Sequence, residues 1–145
     1  MQILFSALFI FLLAVAGISR VAVIRGDQQA GESAAVAMSV GVYSNFVSQY
    51  ARANPTYSGT VANASLSLPP YFAPRAAVRN YVAAGVAYVF VPPGVGVSPG
   101  QVLAALAPDC SRCGVKQGSS VLSPSGLVIT AAPGAIPDGS TVRVL

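Results

Sequence analysis

Cys110-Ser111-Arg112-Cys113 holds both thiols of this 145-residue chain, and their spacing is the first feature that could do chemistry. Two thiolates cannot close a structural zinc site, which takes four nitrogen or sulfur ligands, and the sequence contains no histidine to complete one. No metal is therefore expected. A redox dithiol needs its first thiolate stabilised, commonly at a helix N-terminus, and Gly114-Val115-Lys116-Gln117-Gly118-Ser119 does not read as a helix. The pair is better read as a structural disulfide, and closing so short a loop contributes about 2 kcal/mol on the chain-entropy model.

Other chemistry fares no better. The acids number four, Asp27, Glu32, Asp109 and Asp138, and Lys116 is the lone lysine, so no general base can be named for any of the many serines and threonines. A Ser-Lys pair built on Lys116 has nothing local to support it. Gly94-Val95-Gly96 lies between an expected strand and an expected helix, as a dinucleotide loop would. The third glycine of that fingerprint falls at Pro99, and Asp109 is too close to act as the ribose-binding acid. The reading is of a protein with no catalytic residues and no cofactor.

The eight basic residues give a net charge of +4 but are scattered, so no stripe tracks a phosphate backbone and no nucleic acid is expected. Arg75 and Arg79 stand four apart, which reads as a solvated helix face. The aromatic and sulfur-bearing side chains are more informative. Met38, Val42, Phe46 and Tyr50 recur every four residues, flanked by Val36, Tyr43 and Val47, and make a helical stripe. Packing on its own domain is the plainer role for that stripe, and a partner-binding face is the sharper one. Leu68-Pro69-Pro70-Tyr71-Phe72 is stiffened by two prolines, so Tyr71 and Phe72 could meet a partner with little loss of conformational entropy. The candidate partner-binding set is therefore Met38, Val42, Phe46, Tyr50, Tyr71 and Phe72.

Elements must hold these residues. Ile3 to Ile18 is almost unbroken apolar sequence, and continuing through Ile24 reaches the roughly 20 residues that span a bilayer if Arg20 snorkels. Residues 1–25 are thus expected to be a membrane anchor. A cleaved secretory signal competes, on Ala14-Val15-Ala16 before Gly17, but the basic flank of such a signal is missing. Arg20 and Arg25 argue for a cytoplasmic C-terminal side and the cysteine pair for an oxidising one. The outward orientation is preferred, giving a single-pass inner-membrane protein with residues 26–145 as one periplasmic α+β domain.

Within that domain the stripe helix should stop at Asn54-Pro55, since proline pushes the residue before it out of α geometry. A half-buried strand is expected from Thr60 to Leu68, on the alternation of Ala62, Ala64, Leu66 and Leu68 with Asn63, Ser65 and Ser67. A short helix from Arg75 to Ala84 follows Pro74, and Val86 to Val91 is the clearest strand. Ser98-Pro99 opens a helix to Leu106. Strands near 119–122, 127–131 and 141–145 are separated by turns at Ser123-Pro124-Ser125-Gly126 and Pro137-Asp138-Gly139. The fold class expected is α+β: an N-terminal transmembrane helix, an amphipathic helix and a small antiparallel sheet.

The order of motifs adds a resemblance. Asn54-Pro55, Gly59-Thr60-Val61, Leu68-Pro69-Pro70-Tyr71-Phe72, Asn80-Tyr81-Val82, Gly85-Val86-Ala87-Tyr88-Val89 and Ile136-Pro137-Asp138-Gly139-Ser140 follow an apolar leading segment. That pattern resembles the thin-pilus PilM family of type IVb pilus systems, which is unrelated to the actin-like protein of the same name. The resemblance implies a membrane-anchored pilus-biogenesis component involved in conjugation or surface attachment, with other pilus-assembly proteins or pilins as partners. It carries over no catalytic or binding residue. A pilin-like structural subunit is the alternative, but the chain lacks a basic leader, a Gly-Phe junction and an early glutamate.

Overall fold

The computed structural model describes side chains from residue 28 to 145 and backbone from residue 2. Its first element is helix α1 (Gln2–Ala53), and the chain divides into a unit Met1–Glu32 and a compact unit Ser33–Leu145. In the compact unit α1 buries Val36, Val40, Tyr43, Val47 and Ala51, steps of four, three, four and four that hold one face of a 3.6-residue helix. It ends where Pro55 requires. The Asn54 amide caps the last turn by donating to the Tyr50 carbonyl at 3.0 Å.

Seven strands form one antiparallel sheet: β1 (Ser58–Gly59), β2 (Arg79–Ala83), β3 (Val86–Val91), β4 (Cys113–Gln117), β5 (Ser120–Leu122), β6 (Val128–Ala131) and β7 (Thr141–Val144). Their spatial order is β1-β2-β3-β7-β4-β5-β6. Helix α2 (Pro99–Leu106) joins α1 on one face, tied down by the Thr141 hydroxyl donating to the Pro99 carbonyl at 2.9 Å. β3 is buried on both sides. Ala87, Val89 and Val91 meet the helices, while Tyr88 and Phe90 join Val121, Ile136, Val142 and Val144 in a second core on the opposite face. Two-sided burial explains why β3 reads as a continuous apolar run.

Several expectations are corrected. Among the described residues no helix is long and apolar enough to cross a membrane. The transmembrane helix in the expected fold class, and the single-pass inner-membrane localisation with a periplasmic C-terminal domain, do not hold. The described part of α1 carries Glu32 and Arg52, and its apolar face is spent on the sheet. The apolar segment 3–24 on which the anchor rested lies outside the residues whose side chains are described.

The expected helix at 75–84 is replaced by a turn, closed from the Val78 N–H to the Arg75 carbonyl at 2.8 Å, and strand β2. Ala84 and Gly85 both take positive φ, 47° and 77°, and close a two-residue β2–β3 hairpin of the type whose twist suits its strands. The expected strand at 60–68 is replaced by a 3-10 turn, Asn63–Ser65, with Ala62 and Ala64 exposed. Small Ala and Ser side chains offer a strand little to pack, so alternation alone does not hold them in the sheet. Ser98 does stand at the start of α2, but its hydroxyl makes no capping bond there.

Candidate docking grooves

The stripe-and-loop residues do not form one surface. Phe46 and Phe72 stack, with ring centroids 6.3 Å apart at 27°, and Tyr50 meets Tyr57 edge-on at 5.4 Å and 86°. Tyr71 is 91% exposed beside Phe72 in the chain. Met38 and Val42, 74% and 44% exposed, stand two turns and one turn before Phe46 on α1. The buried stripe runs through Val36, Val40, Tyr43 and Val47, so the flanking residues carry the packing.

The aromatic set borders a groove of about 370 Å³. One wall is the end of α1, with Phe46, Gln49, Tyr50, Ala53 and Asn54; the other is Ser65, Leu66 and Ser67. No Asp, Glu, Lys or Arg lines it. Its chemistry is that of aromatic rings, carboxamides and hydroxyls, which suits an uncharged apolar segment with main-chain groups to pair.

Side chains far apart in sequence hold the second wall. Asn80 on β2 accepts from the Val61 N–H at 2.8 Å and donates to the Val61 carbonyl at 2.8 Å, replacing a strand neighbour. Its amide also donates to the Tyr43 hydroxyl at 2.6 Å, and that hydroxyl donates to Asn63 Oδ1 at 2.6 Å. Burial pushes the Tyr43 phenol above its ordinary pKa, and the Asn80 bond opposes this in part. Downstream, Pro69-Pro70-Tyr71-Phe72 closes a turn through a 2.9 Å bond from the Phe72 N–H to the Pro69 carbonyl. The Arg75 N–H then donates to the Ser39 hydroxyl of α1 at 3.1 Å. Tyr71 is thus presented at the tip of a braced turn.

A second, smaller groove of about 230 Å³ lies between α1 and the end of α2, lined by Ala34, Ala37, Met38, Gly41, Ala105, Leu106, Asp109 and Arg143. Of the six candidates, Phe46 and Tyr50 line the first groove, Phe72 braces it, Met38 lines the second, and Val42 lines neither. Gln49, Asn54, Ser65, Ser67, Asn80 and Arg143 were not legible as site residues. An asparagine in an otherwise apolar strand pattern, Asn80 in Asn80-Tyr81-Val82, was the one available signal.

Elsewhere, Cys110 and Cys113 are joined in a disulfide with Cα atoms 5.5 Å apart, tying the segment after α2 to the start of β4. Cys113 opens a strand, so no helix N-terminus faces the sulfurs. Lys116 Nζ is engaged by Asp138 Oδ1 at 2.6 Å, and the Ser140 hydroxyl donates to the Pro137 carbonyl at 2.6 Å. The lysine is therefore not set against a serine.

A family model described as PilM matches residues 8–144, nearly the whole chain. The chain belongs to the PilM family. Membership makes it a pilus-related protein. A crystallised pilM protein of Pseudomonas aeruginosa 2192 is 30% identical, over 79% of this chain and 93% of that one, with a TM-score of 0.46. A crystallised PilM protein of Escherichia coli B7A is 22% identical, over 81% of this chain and 94% of that one, with a TM-score of 0.61, and so shares the fold. Among curated proteins none matches.

Proposed function

We propose that this PilM-family protein acts in pilus assembly by docking another pilus-assembly protein or a pilin, and not by catalysis. The groove between the end of α1 and the Ser65–Ser67 wall receives an apolar segment of that partner, and Tyr71 extends the contact. One observation carries this reading: an uncharged groove of about 370 Å³ is bordered by Phe46 and Tyr50, with a 91% exposed tyrosine on the braced turn next to it. A ring of that size left in water on a stiff turn is the kind of anchor that contributes much at interfaces and loses little entropy on docking.

The test places a photo-crosslinking amino acid at Tyr71 in cells that are assembling pili. The expected product joins this chain to a pilus-assembly protein or a pilin. The companion variant Tyr71→Ala should lower pilus number while leaving the melting temperature within a degree or two, because exposed substitutions change stability by about 0.5 kcal/mol or less. Normal piliation in Tyr71→Ala, with no pilus component captured, would refute the reading. A pilin-like subunit would instead co-purify with sheared fibres, which separates the alternative.

A further inference from the structure

The second groove differs from the first in holding charge. Arg143 stands on the helix-facing side of β7, paired in register with Cys113 and Val89, so its side chain runs along the floor between α1 and the sheet. Its Nη1 lies 3.7 Å from where a Cβ at Gly41 would stand. The absent side chain at Gly41 leaves the guanidinium open to the groove. Among the described residues Arg143 makes no side-chain hydrogen bond and no ion pair; the ion pair found joins Lys116 and Asp138. Asp109 shares the rim without engaging it.

Arg143 is half-buried, and none of its guanidinium nitrogens is enclosed without an acceptor, so the group is open to a carboxylate arriving from outside. Around it stand Ala34, Ala37, Met38, Ala105 and Leu106, which offer apolar contact and no competing acceptor. At about 230 Å³ the groove is smaller than the roughly 300–1,000 Å³ of small-molecule pockets, and fits one or two side chains of a partner. Met38, 74% exposed on the rim, is an adaptable apolar surface of the kind found where partners dock.

We propose that this socket receives an acidic side chain from a partner protein, its carboxylate paired with Arg143 and an adjacent apolar side chain laid against Met38 and Leu106. Charge complementarity identifies the occupant: a planar guanidinium takes a carboxylate in two parallel hydrogen bonds, and the surrounding apolar wall strengthens that pair by excluding water. The site is separate from the aromatic groove and does not depend on it.

The probe is N-acetyl-Leu-Glu-Leu-amide, with N-acetyl-Leu-Gln-Leu-amide and N-acetyl-Leu-Leu bearing a free C-terminal carboxylate as comparisons. Each is titrated into the full-length chain and followed by amide NMR shifts. The Glu peptide should shift Met38, Gly41, Ala105 and Leu106, bind at least tenfold more tightly than the Gln peptide, and weaken with salt. Arg143→Gln should abolish the difference. Gly41→Leu, which fills the socket from the helix and crowds the Arg143 guanidinium 3.7 Å from its Cβ, should do the same if Arg143→Gln fails to fold. Asp109→Asn should tighten binding severalfold by removing a like charge from the rim, a gain that a merely structural arginine would not give. Equal binding of the Glu and Gln peptides, or shifts confined to other surfaces, would overturn the proposal. Tighter binding of the peptide with the free C-terminus would also overturn it, assigning the socket to chain ends instead.

Discussion

Asn80→Ala is the substitution whose cost the structure fixes best. Asn80 is 4% exposed, and its side chain serves both main-chain groups of Val61, itself 3% exposed. Truncation leaves the Val61 N–H and C=O buried without partners, at about 1–3 kcal/mol each, and removes the bond to Tyr43, worth about 1 kcal/mol net. With some relaxation toward water, the expected loss is about 4 kcal/mol. Tyr43→Phe removes less. It strands one Asn80 donor, while Asn63 is exposed and turns to water, so about 1–1.5 kcal/mol is expected.

Because the Tyr43–Asn80 bond is lost only once, the double variant should fall short of the sum by about 1 kcal/mol. Urea unfolding followed by circular dichroism measures all three, and hydrogen exchange at the Val61 amide reports the bond directly. Tyr43 adds a pH signature. Its folded pKa is raised, so its contribution is complete below about pH 10 and is lost as pH climbs through the folded value. Tyr43→Phe should remove that part of the alkaline decline. A loss under about 1 kcal/mol for Asn80→Ala, or strict additivity with Tyr43→Phe, would refute the view that this asparagine stands in for a missing strand.

Gly114→Ala should destabilise by about 3 kcal/mol or prevent folding, since a Cβ there would overlap the Leu122 carbonyl and part β4 from the β5 bulge; thermal melts decide it. Ala84→Asn should stabilise by about 0.5–1 kcal/mol, read as a rise in urea midpoint, because Ala84 sits at φ 47° where asparagine is better tolerated. Asp138 is held below the usual carboxylate range by its hydrogen bond from Lys116. Its contribution is therefore present above about pH 4 and lost as pH falls through the folded value, so melting curves of the parent and Asp138→Asn should converge in acid.

How much of this was legible follows from where each signal lives. β3 and α2 could be read because Val86–Val91 is β-branched and aromatic and Ser98-Pro99 marks a helix start, both local properties. β2 was read as helix because alanine at position 84 gives no hint of positive φ. β4 was passed over because Gly114, Lys116 and Gln117 are poor strand formers, although the Gly118-Ser119 turn that pairs Gln117 with Ser120 was there to be read. On α1 nearly every position is apolar or small, so the four-residue stripe and the true core stripe were both available. Only the sheet selects between them.

The grooves show the same division between local and long-range information. Phe46, Tyr50, Tyr71 and Phe72 could be named from residue type, but the Ser65–Ser67 wall exists because Asn80 holds Val61 across 19 residues. Helix α1 supplies one wall to each groove, and its buried stripe lies between them around the axis. Their centres on the helix, near residues 38 and 50, are about 18 Å apart at 1.5 Å per residue. At that separation substitutions in the two grooves should act additively on independent partners. A single partner that spans both would instead bind with an avidity far above either contact, and damage to one groove would then be felt fully at the other.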